Sequence, residues 1–185
     1  MIDKIKETAD KLIEPLQNIR DGGVKNYFQH DFDCSLFQDW NLTDIRKSEE
    51  HKELFDILGT LTGPVLYWFE ILPPTTNGDV RNAISVYKNS TEAKSVPALK
   101  TKYSRESNIL YVGKVKRNFW GRIIQHLGYY QVVSTQGLQL YHWARPLNLK
   151  LRLHAYQFES GMEDLVAVFE LKFARILKPI TGKHS

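Results

Sequence analysis

A single apolar run, residues 65–72, limits the fold of this chain more than any other part of its sequence. The run is rich in β-branched and aromatic side chains, a composition typical of a buried strand. Pro73 and Pro74 follow directly and end it, because proline cannot donate a hydrogen bond to a neighbouring strand. The chain therefore contains a sheet, and its other elements must pack against at least one well-buried strand.

The pattern after this run alternates between strand-like and helix-like segments. Strands are predicted over 109–112 and 149–158, and helices over 118–127, 138–144 and about 160–177. With three clear strands, the chain is predicted to have an α+β fold in which helices pack against a small sheet. Residues 73–107 are predicted to form a long basic insert, with a short strand near residues 84–87.

The first 62 residues are predicted to form a mainly helical, acidic N-terminal extension, separate from residues 63–185. Its first helix carries one apolar seam, in which spacings of three and four residues alternate. The seam consists of Ile2, Ile5, Ala9, Leu12, Leu16 and Ile19. Pro15 is predicted to kink or split this helix. A second helix is predicted from about Ser48 to Gly59, and no strand is predicted before residue 63.

The seam has two interpretations. It can pack on its own domain, which is the commoner outcome for a short amphipathic helix. Alternatively, it can pair with a partner helix, including that of a second copy of this chain in a homodimer. The second interpretation makes the N-terminal helix a protein-interaction module.

The net charge of +4 is distributed unevenly along the chain. Residues 1–62 hold 8 Lys and Arg against 13 Asp and Glu, whereas residues 63–185 hold 17 against 8. A basic region beside an acidic one indicates a polyanionic partner such as nucleic acid, and the alternative is a solvated basic surface.

The composition excludes several classes of protein. The single cysteine, Cys34, rules out an intramolecular disulfide framework and a Cys-based zinc cluster, and it favours a cytoplasmic location. No apolar run is long enough to span a membrane, so no membrane partner is expected. The histidines lack the spacing of a zinc enzyme, and the sequence has no glycine-rich phosphate loop.

Glu170 is the most informative single residue for function. Its neighbours three and four positions away on the last predicted helix are all apolar, so none of them can pair with its carboxylate. A carboxylate in such surroundings needs a partner from elsewhere in the structure. That partner is either a divalent cation, since hard cations prefer oxygen ligands, or a basic side chain in a salt bridge.

Arg122 and His126 form a second group with chemical potential. They lie four residues apart on one predicted helix and therefore project from the same face. A guanidinium beside an imidazole can hold a phosphate and stabilise its developing charge. The alternative is an exposed Arg–His stripe without a catalytic role.

A third group lies where a predicted strand turns toward that helix. Tyr111 ends the strand, Gly113 permits a tight turn or a close approach, and Lys114 can reach a phosphate as a point charge. Tyr67 lies on a strand predicted to be adjacent, so the two phenols could converge. Tyrosine in a strand is more often a packing residue, which is the alternative.

Lys114 and further basic side chains are predicted to contact nucleic acid. After the second strand these are Lys114, Lys116 and Arg117, and in the insert they are Arg81, Lys100, Lys102 and Arg105. Tyr103, within the same insert, could stack on a base. The alternative is that the insert is a solvated loop.

Taken in order, the segments are Pro64-Val65-Leu66-Tyr67, then Leu110-Tyr111-Val112-Gly113-Lys114, then Arg122 and His126, then Glu170, then Lys178-Pro179. This order resembles the GIY-YIG nuclease family. The family includes homing endonucleases, some restriction enzymes and the incision subunit of bacterial nucleotide excision repair. The resemblance covers about residues 63–182 and leaves the first 62 residues outside.

The resemblance implies a three-stranded antiparallel sheet flanked by helices and a metal-dependent DNA endonuclease that hydrolyses phosphodiester bonds. The residues that match the family's catalytic positions are Tyr67, Tyr111, Lys114, Arg122, His126 and Glu170. Glu170 would bind a single Mg²⁺ or Mn²⁺ ion, and a tyrosine, foremost Tyr111, would orient or deprotonate the attacking water. His126 would support Tyr111 or carry the proton.

The sequence departs from the family's pattern in three places. Val-Leu-Tyr replaces Gly-Ile-Tyr in the first motif, the insert between the motifs is longer than usual, and no asparagine follows Pro179. The missing asparagine favours a second hypothesis, a catalytically inactive nucleic-acid-binding domain of the same fold. The third hypothesis is the protein-interaction module that uses the N-terminal helix.

Overall fold

The computed structural model describes residues 1–132 and 134–183 as an α+β fold around one antiparallel sheet. The sheet has four strands in the order β1-β4-β2-β3, so the predicted number of three is wrong. The elements in chain order are α1 (Ile2–Gly22), β1 (Asn26–Asp33), α2 (Lys52–Thr60), β2 (Val65–Ile71), α3 (Asn77–Lys88), β3 (Ile109–Val115), α4 (Phe119–Leu127), α5 (Leu140–Trp143), β4 (Lys150–Gln157) and α6 (Val166–Leu177).

The fourth strand is β1, which comes from the N-terminal 62 residues and was not predicted. It pairs with β4 along its whole length, from Asn26 opposite Gln157 to Asp33 opposite Lys150. Phe32 on this strand is buried in the main core. The sheet and its core therefore draw on the sequence on both sides of residue 62.

Strand β2 is buried on both faces, which explains its uninterrupted apolar sequence. Successive side chains of a strand point to opposite faces. Tyr67 and Phe69 belong to the main core, whereas Leu66 and Trp68 belong to a second cluster on the other face. Helix α4 contributes to the main core, and helix α6 covers the second cluster.

The insert 73–107 contains helix α3, so the short strand predicted near residues 84–87 is wrong. The Thr76 hydroxyl accepts from the Asp79 amide, and the Asp79 carboxylate accepts from the Thr76 amide at 3.0 Å. This reciprocal cap starts the helix. Its signal, Thr followed three residues later by Asp, outweighs the strand-like composition of the segment.

Two predicted helices differ in their extent. Helix α1 continues through Pro15 to Gly22, so the predicted split is not found. Helix α6 begins at Val166 rather than near residue 160, because the Glu163 carboxylate accepts from the Gly161 amide in a turn before the helix. Among the described residues, no helix combines the length and apolar character needed to cross a membrane.

Helix α1 contains no buried residue. Most of its apolar seam is exposed, and only Ile19 packs against the second cluster. The interpretation in which the whole seam packs on its own domain is therefore wrong. The seam instead presents an uncovered apolar stripe.

Candidate active site

Strands β2 and β3 bring two phenols together. Tyr67 lies opposite Gly113 and Phe69 lies opposite Tyr111, and the two tyrosine ring centroids are 6.2 Å apart. The absence of a side chain at Gly113 makes this possible, because a Cβ there would lie 2.6 Å from the Tyr67 hydroxyl. The strand pairing and this glycine thus position the Tyr67 phenol beside the Tyr111 ring.

His126 on α4 is fully buried, and its hydrogen bonds define its protonation. Its Nδ1 accepts from the Leu138 backbone amide at 3.1 Å, so Nδ1 carries no proton. Burial, and then the nearby charge of Arg122, lower the pKa of His126 well below its usual value. The neutral ring therefore has its proton on Nε2, which donates to the Tyr67 hydroxyl at 2.8 Å.

Arg122 is held by both phenols and by the main chain. Its Nε donates to the Tyr67 hydroxyl at 3.2 Å, and Nη2 donates to the Tyr111 hydroxyl at 3.5 Å. Nη1 donates to the Gln125 side chain at 2.8 Å and to the Gln136 carbonyl at 2.7 Å. Neither of these anchors is predicted from sequence, although Gln125 lies three residues from Arg122 on the same helical face.

The Tyr67 hydroxyl accepts two hydrogen bonds, from His126 and from Arg122. Burial and then the neighbouring Tyr111 raise the pKa of Tyr67, and the Arg122 charge opposes this shift. The phenol is therefore protonated at neutral pH. With its lone pairs engaged, Tyr67 is left with its own O–H as the free donor. His126 thus hydrogen-bonds to Tyr67, and its ring centroid lies 5.1 Å from that of Tyr111, so its predicted role of supporting Tyr111 or carrying the proton stays a prediction.

Glu170 lies on α6 with only 8% of its surface exposed. Helix α6 packs on the face of the sheet opposite the Tyr67 side chain, and the Glu170 charge is the last of the causes that raise the pKa of that phenol, after burial and Tyr111. In the described part of the chain, no three His, Cys, Asp or Glu side chains cluster as a metal site. A single carboxylate is nevertheless a sufficient protein ligand for Mg²⁺, which takes its remaining ligands from water and substrate phosphates.

The basic residues at the end of β3 and directly after it do not converge on the two phenols. Lys114 lies opposite Leu66, so strand alternation places it on the other face of the sheet from Tyr67. The ammonium of Lys116 pairs with Asp164 at 2.6 Å on the surface. Arg117 is exposed. Contact of these three with nucleic acid stays a prediction.

The basic residues of the insert have three different settings. Arg81 stacks its guanidinium 3.7 Å from the centre of the Tyr103 ring. Lys100 and Lys102 line a surface groove, and Arg105 is exposed outside it. Two of the four predicted contacts thus share one concave surface.

Comparisons of the chain with protein-family models, curated proteins and solved structures find no match. The resemblance to GIY-YIG nucleases therefore stays a prediction, and the geometry of the candidate site has to be judged by its own chemistry. That geometry joins Tyr67, Tyr111, Arg122 and His126 in one hydrogen-bonded group, with Glu170 within electrostatic range.

Replacing Gly113 with alanine is expected to lower the free energy of unfolding by about 1–3 kcal/mol, because the new methyl group collides with the Tyr67 phenol. Urea denaturation measures the change. The control is Gly59→Ala on α2, where nothing lies within 4 Å and alanine leaves stability unchanged or raises it by up to about 1 kcal/mol. Equal effects at both positions would contradict the packing described for Gly113.

Acidification is expected to destabilise the protein through His126. In the folded protein the pKa of His126 lies well below 6.5, its ordinary value, which applies in the unfolded chain. At a pH between the two pKa values, the unfolded chain binds a proton at this residue and the folded chain does not. The free energy of unfolding thus falls with falling pH, by up to about 1.4 kcal/mol per pH unit from this group. Urea denaturation between pH 7.5 and 5 should show a shallower fall in His126→Gln. An unchanged slope would mean that His126 is not buried as a neutral ring.

Proposed function

We propose that this chain is a metal-dependent DNA endonuclease that hydrolyses phosphodiester bonds in the manner of the GIY-YIG family. The observation that supports this most is the shared hydrogen-bond group of Tyr67, Tyr111 and Arg122. Two phenols and a guanidinium in one place, with a carboxylate in range, fit the needs of phosphate chemistry better than those of core packing.

Arg122 is the residue assigned to the phosphate. Two of its nitrogens are engaged by the phenols, and Nη1 is anchored by Gln125 and by the Gln136 carbonyl. The guanidinium is therefore held in one orientation before substrate arrives. A fixed charge stabilises the extra negative charge of the transition state without reorganisation.

The two tyrosines receive different roles. Tyr67 is fully buried and its oxygen accepts from His126 and Arg122, so its role is to hold the Arg122 guanidinium in place. Tyr111 is half-buried and is bonded only weakly by Arg122, so its hydroxyl is the one that can accept from and orient the attacking water. The water oxygen bonds to phosphorus as the bond between phosphorus and the leaving oxygen breaks, and the proton that the water loses ends on the leaving oxygen.

Glu170 is the residue assigned to Mg²⁺ or Mn²⁺. When bound, such an ion supplies a Lewis acid that stabilises the leaving oxygen. The role of the Glu170 carboxylate is to hold the ion within range of the phenols. The alternative function, nucleic-acid binding without catalysis, needs the basic surfaces but not this carboxylate.

Incubation of the purified protein with supercoiled plasmid and Mg²⁺ or Mn²⁺ is expected to give nicked DNA. Arg122→Ala should slow nicking by about 10²–10³-fold, because a transition-state donor is lost. Glu170→Gln should abolish metal-dependent nicking, because the ion loses its protein ligand. Tyr111→Phe should slow nicking by a factor of about 10² or more, since the water loses its acceptor.

The matched controls are Tyr27→Phe and Glu106→Gln, which alter an exposed phenol and an exposed carboxylate and should leave nicking unchanged. Nicking at the wild-type rate in both Arg122→Ala and Glu170→Gln would overturn the assignment of the site. Salt-sensitive retardation of DNA without cutting would support the binding function instead.

We also propose that two copies of the chain pair through α1. Its seam keeps a strict alternation of three and four residues, which gives the narrow stripe of a coiled coil rather than the broad face of a helix on a core. The exposed seam residues are Ile2, Ile5, Leu12 and Leu16. The helix holds five acidic and four basic side chains, so two copies do not repel one another.

Light scattering coupled to gel filtration is expected to show a dimer at micromolar concentration. Leu12→Asp should give a monomer, because it places a charge in the centre of the paired seam. Leu42→Asp, at an apolar residue that is exposed elsewhere, is the matched control and should leave the dimer intact. A wild-type protein that is monomeric throughout would exclude this pairing.

A further inference from the structure

A groove lined with cations lies between the insert and the end of α6. One wall is residues 99–104, and the other is the last part of α6 with the residues that follow it. Its volume is about 730 Å³, within the range of ligand-binding clefts. The charged side chains of this cationic groove are Lys100, Lys102, Arg175, Lys178 and Lys183.

These five charges have no anionic counterpart in the groove. No Asp or Glu of the described chain lines it, and none of the five cations forms an ion pair within residues 1–132 and 134–183. Burial lowers the pKa of Lys100, which means that its ammonium has lost part of its hydration. A concave surface of one sign attracts a polyanion.

The groove also has apolar and aromatic walls. Leu99, Ala174 and Pro179 line it, together with Tyr103. The Tyr103 ring is stacked against the Arg81 guanidinium and remains 38% exposed. A cationic cleft with an oriented aromatic ring is the arrangement on which unpaired bases stack while the backbone meets the charges.

Lys178 occupies a backbone position that normally belongs to glycine. It follows α6 with φ of 50°, in the left-handed region. Its carbonyl accepts from the Ser107 hydroxyl at 2.8 Å, which keeps the conformation in place. Glycine is favoured at the end of a helix in this conformation, so a lysine there costs stability. The cost suggests that the lysine side chain serves the groove.

Two residues of the groove lie next to residues of the candidate active site. Gly182 lines the groove, and a Cβ at this position would lie 4.0 Å from the Tyr111 ring. Ala174 lines the groove one helical turn after Glu170. A strand that leaves the site can therefore enter the groove directly.

Backbone hydrogen bonds hold the two walls together. Leu99 forms a bridge with Thr181, the Lys100 amide donates to the Ile180 carbonyl at 3.0 Å, and the Gly182 amide donates to the Ala98 carbonyl at 2.9 Å. The groove is thus formed before any ligand binds.

We propose that the cationic groove binds an unpaired nucleic-acid strand directly beside the bond that is cut. A duplex keeps its bases stacked inside and offers none to Tyr103, whereas an unpaired strand offers both bases and phosphates. The substrate is then DNA with a single-stranded segment next to a duplex. Its position beside the cut rests on the proposed nuclease function, but the binding does not.

Binding of the full chain to a fluorescently labelled oligo(dT) of twelve nucleotides is measured by fluorescence anisotropy. EDTA is present so that no cutting occurs. A fully paired duplex of the same length is the comparison. We expect the single strand to bind more tightly and the affinity to fall steeply with salt. The Lys100→Ala, Lys178→Ala double variant should reduce the salt slope by about 1.4, at about 0.7 for each lost phosphate contact.

Substitutions at two positions, Tyr103 and Lys178, separate binding from folding. Tyr103→Ala should weaken oligo(dT) binding by about 5- to 100-fold, and Tyr103→Phe should restore it, because stacking needs the ring and not the hydroxyl. Lys178→Gly should weaken binding while leaving the melting temperature equal or higher, since glycine suits the left-handed conformation. Lys52→Ala, outside the groove, is the control and should bind as the wild type does.

Equal affinity for duplex and single strand, with no loss in Tyr103→Ala, would overturn the proposal. The cutting assay separates this failure from that of the nuclease function. If the groove variants cut a duplex with an unpaired overhang as well as the wild type does, the nuclease function stands and the proposed role of the groove falls. If oligo(dT) binding depends on the groove but no DNA is cut, the binding role of the groove stands and the nuclease function falls.

Discussion

The hydroxyl of Tyr67 is the point on which the arrangement of the central elements depends. Tyr67 belongs to β2, the most buried strand, and its hydroxyl accepts hydrogen bonds from His126 and Arg122. These two residues lie on successive turns of α4. The other side of His126 is tied to the Leu138 amide. Buried polar groups are costly unless they are paired, so strand β2, helix α4 and the chain before α5 can meet in only one way. The candidate site is therefore part of the core and not an addition to its surface.

The elements with strong local signals were predictable from sequence. The aromatic run of β2 and the apolar row of α4, capped by Asn118 and ended by Gly128, each appear close to the expected bounds. Strand β1 was missed because its inward positions include His30, which interrupts the apolar alternation. Helix α3 was missed because its side chains are strand-like and only its first turn specifies a helix.

The candidate site was predictable in its side chains but not in its anchors. Spacing alone placed Arg122 and His126 on one face, and adjacent strands explained the meeting of Tyr67 and Tyr111. The contacts that orient them include the Leu138 amide and the Gln136 carbonyl. These are backbone groups, which every residue type carries, so the sequence does not indicate them. The cationic groove was hidden for another reason, since its two walls are far apart in the chain and meet only through tertiary hydrogen bonds.

The pairing of β1 with β4 also has a consequence for how the chain is made. The first strand leaves the ribosome long before Lys150–Gln157, its sole partner in the described sheet, has been synthesised. Contacts between distant parts of a chain form slowly because a large loop must close first. Until then the strand is an open edge, and its charged residues Asp31 and Asp33 hinder its association with the edges of other molecules.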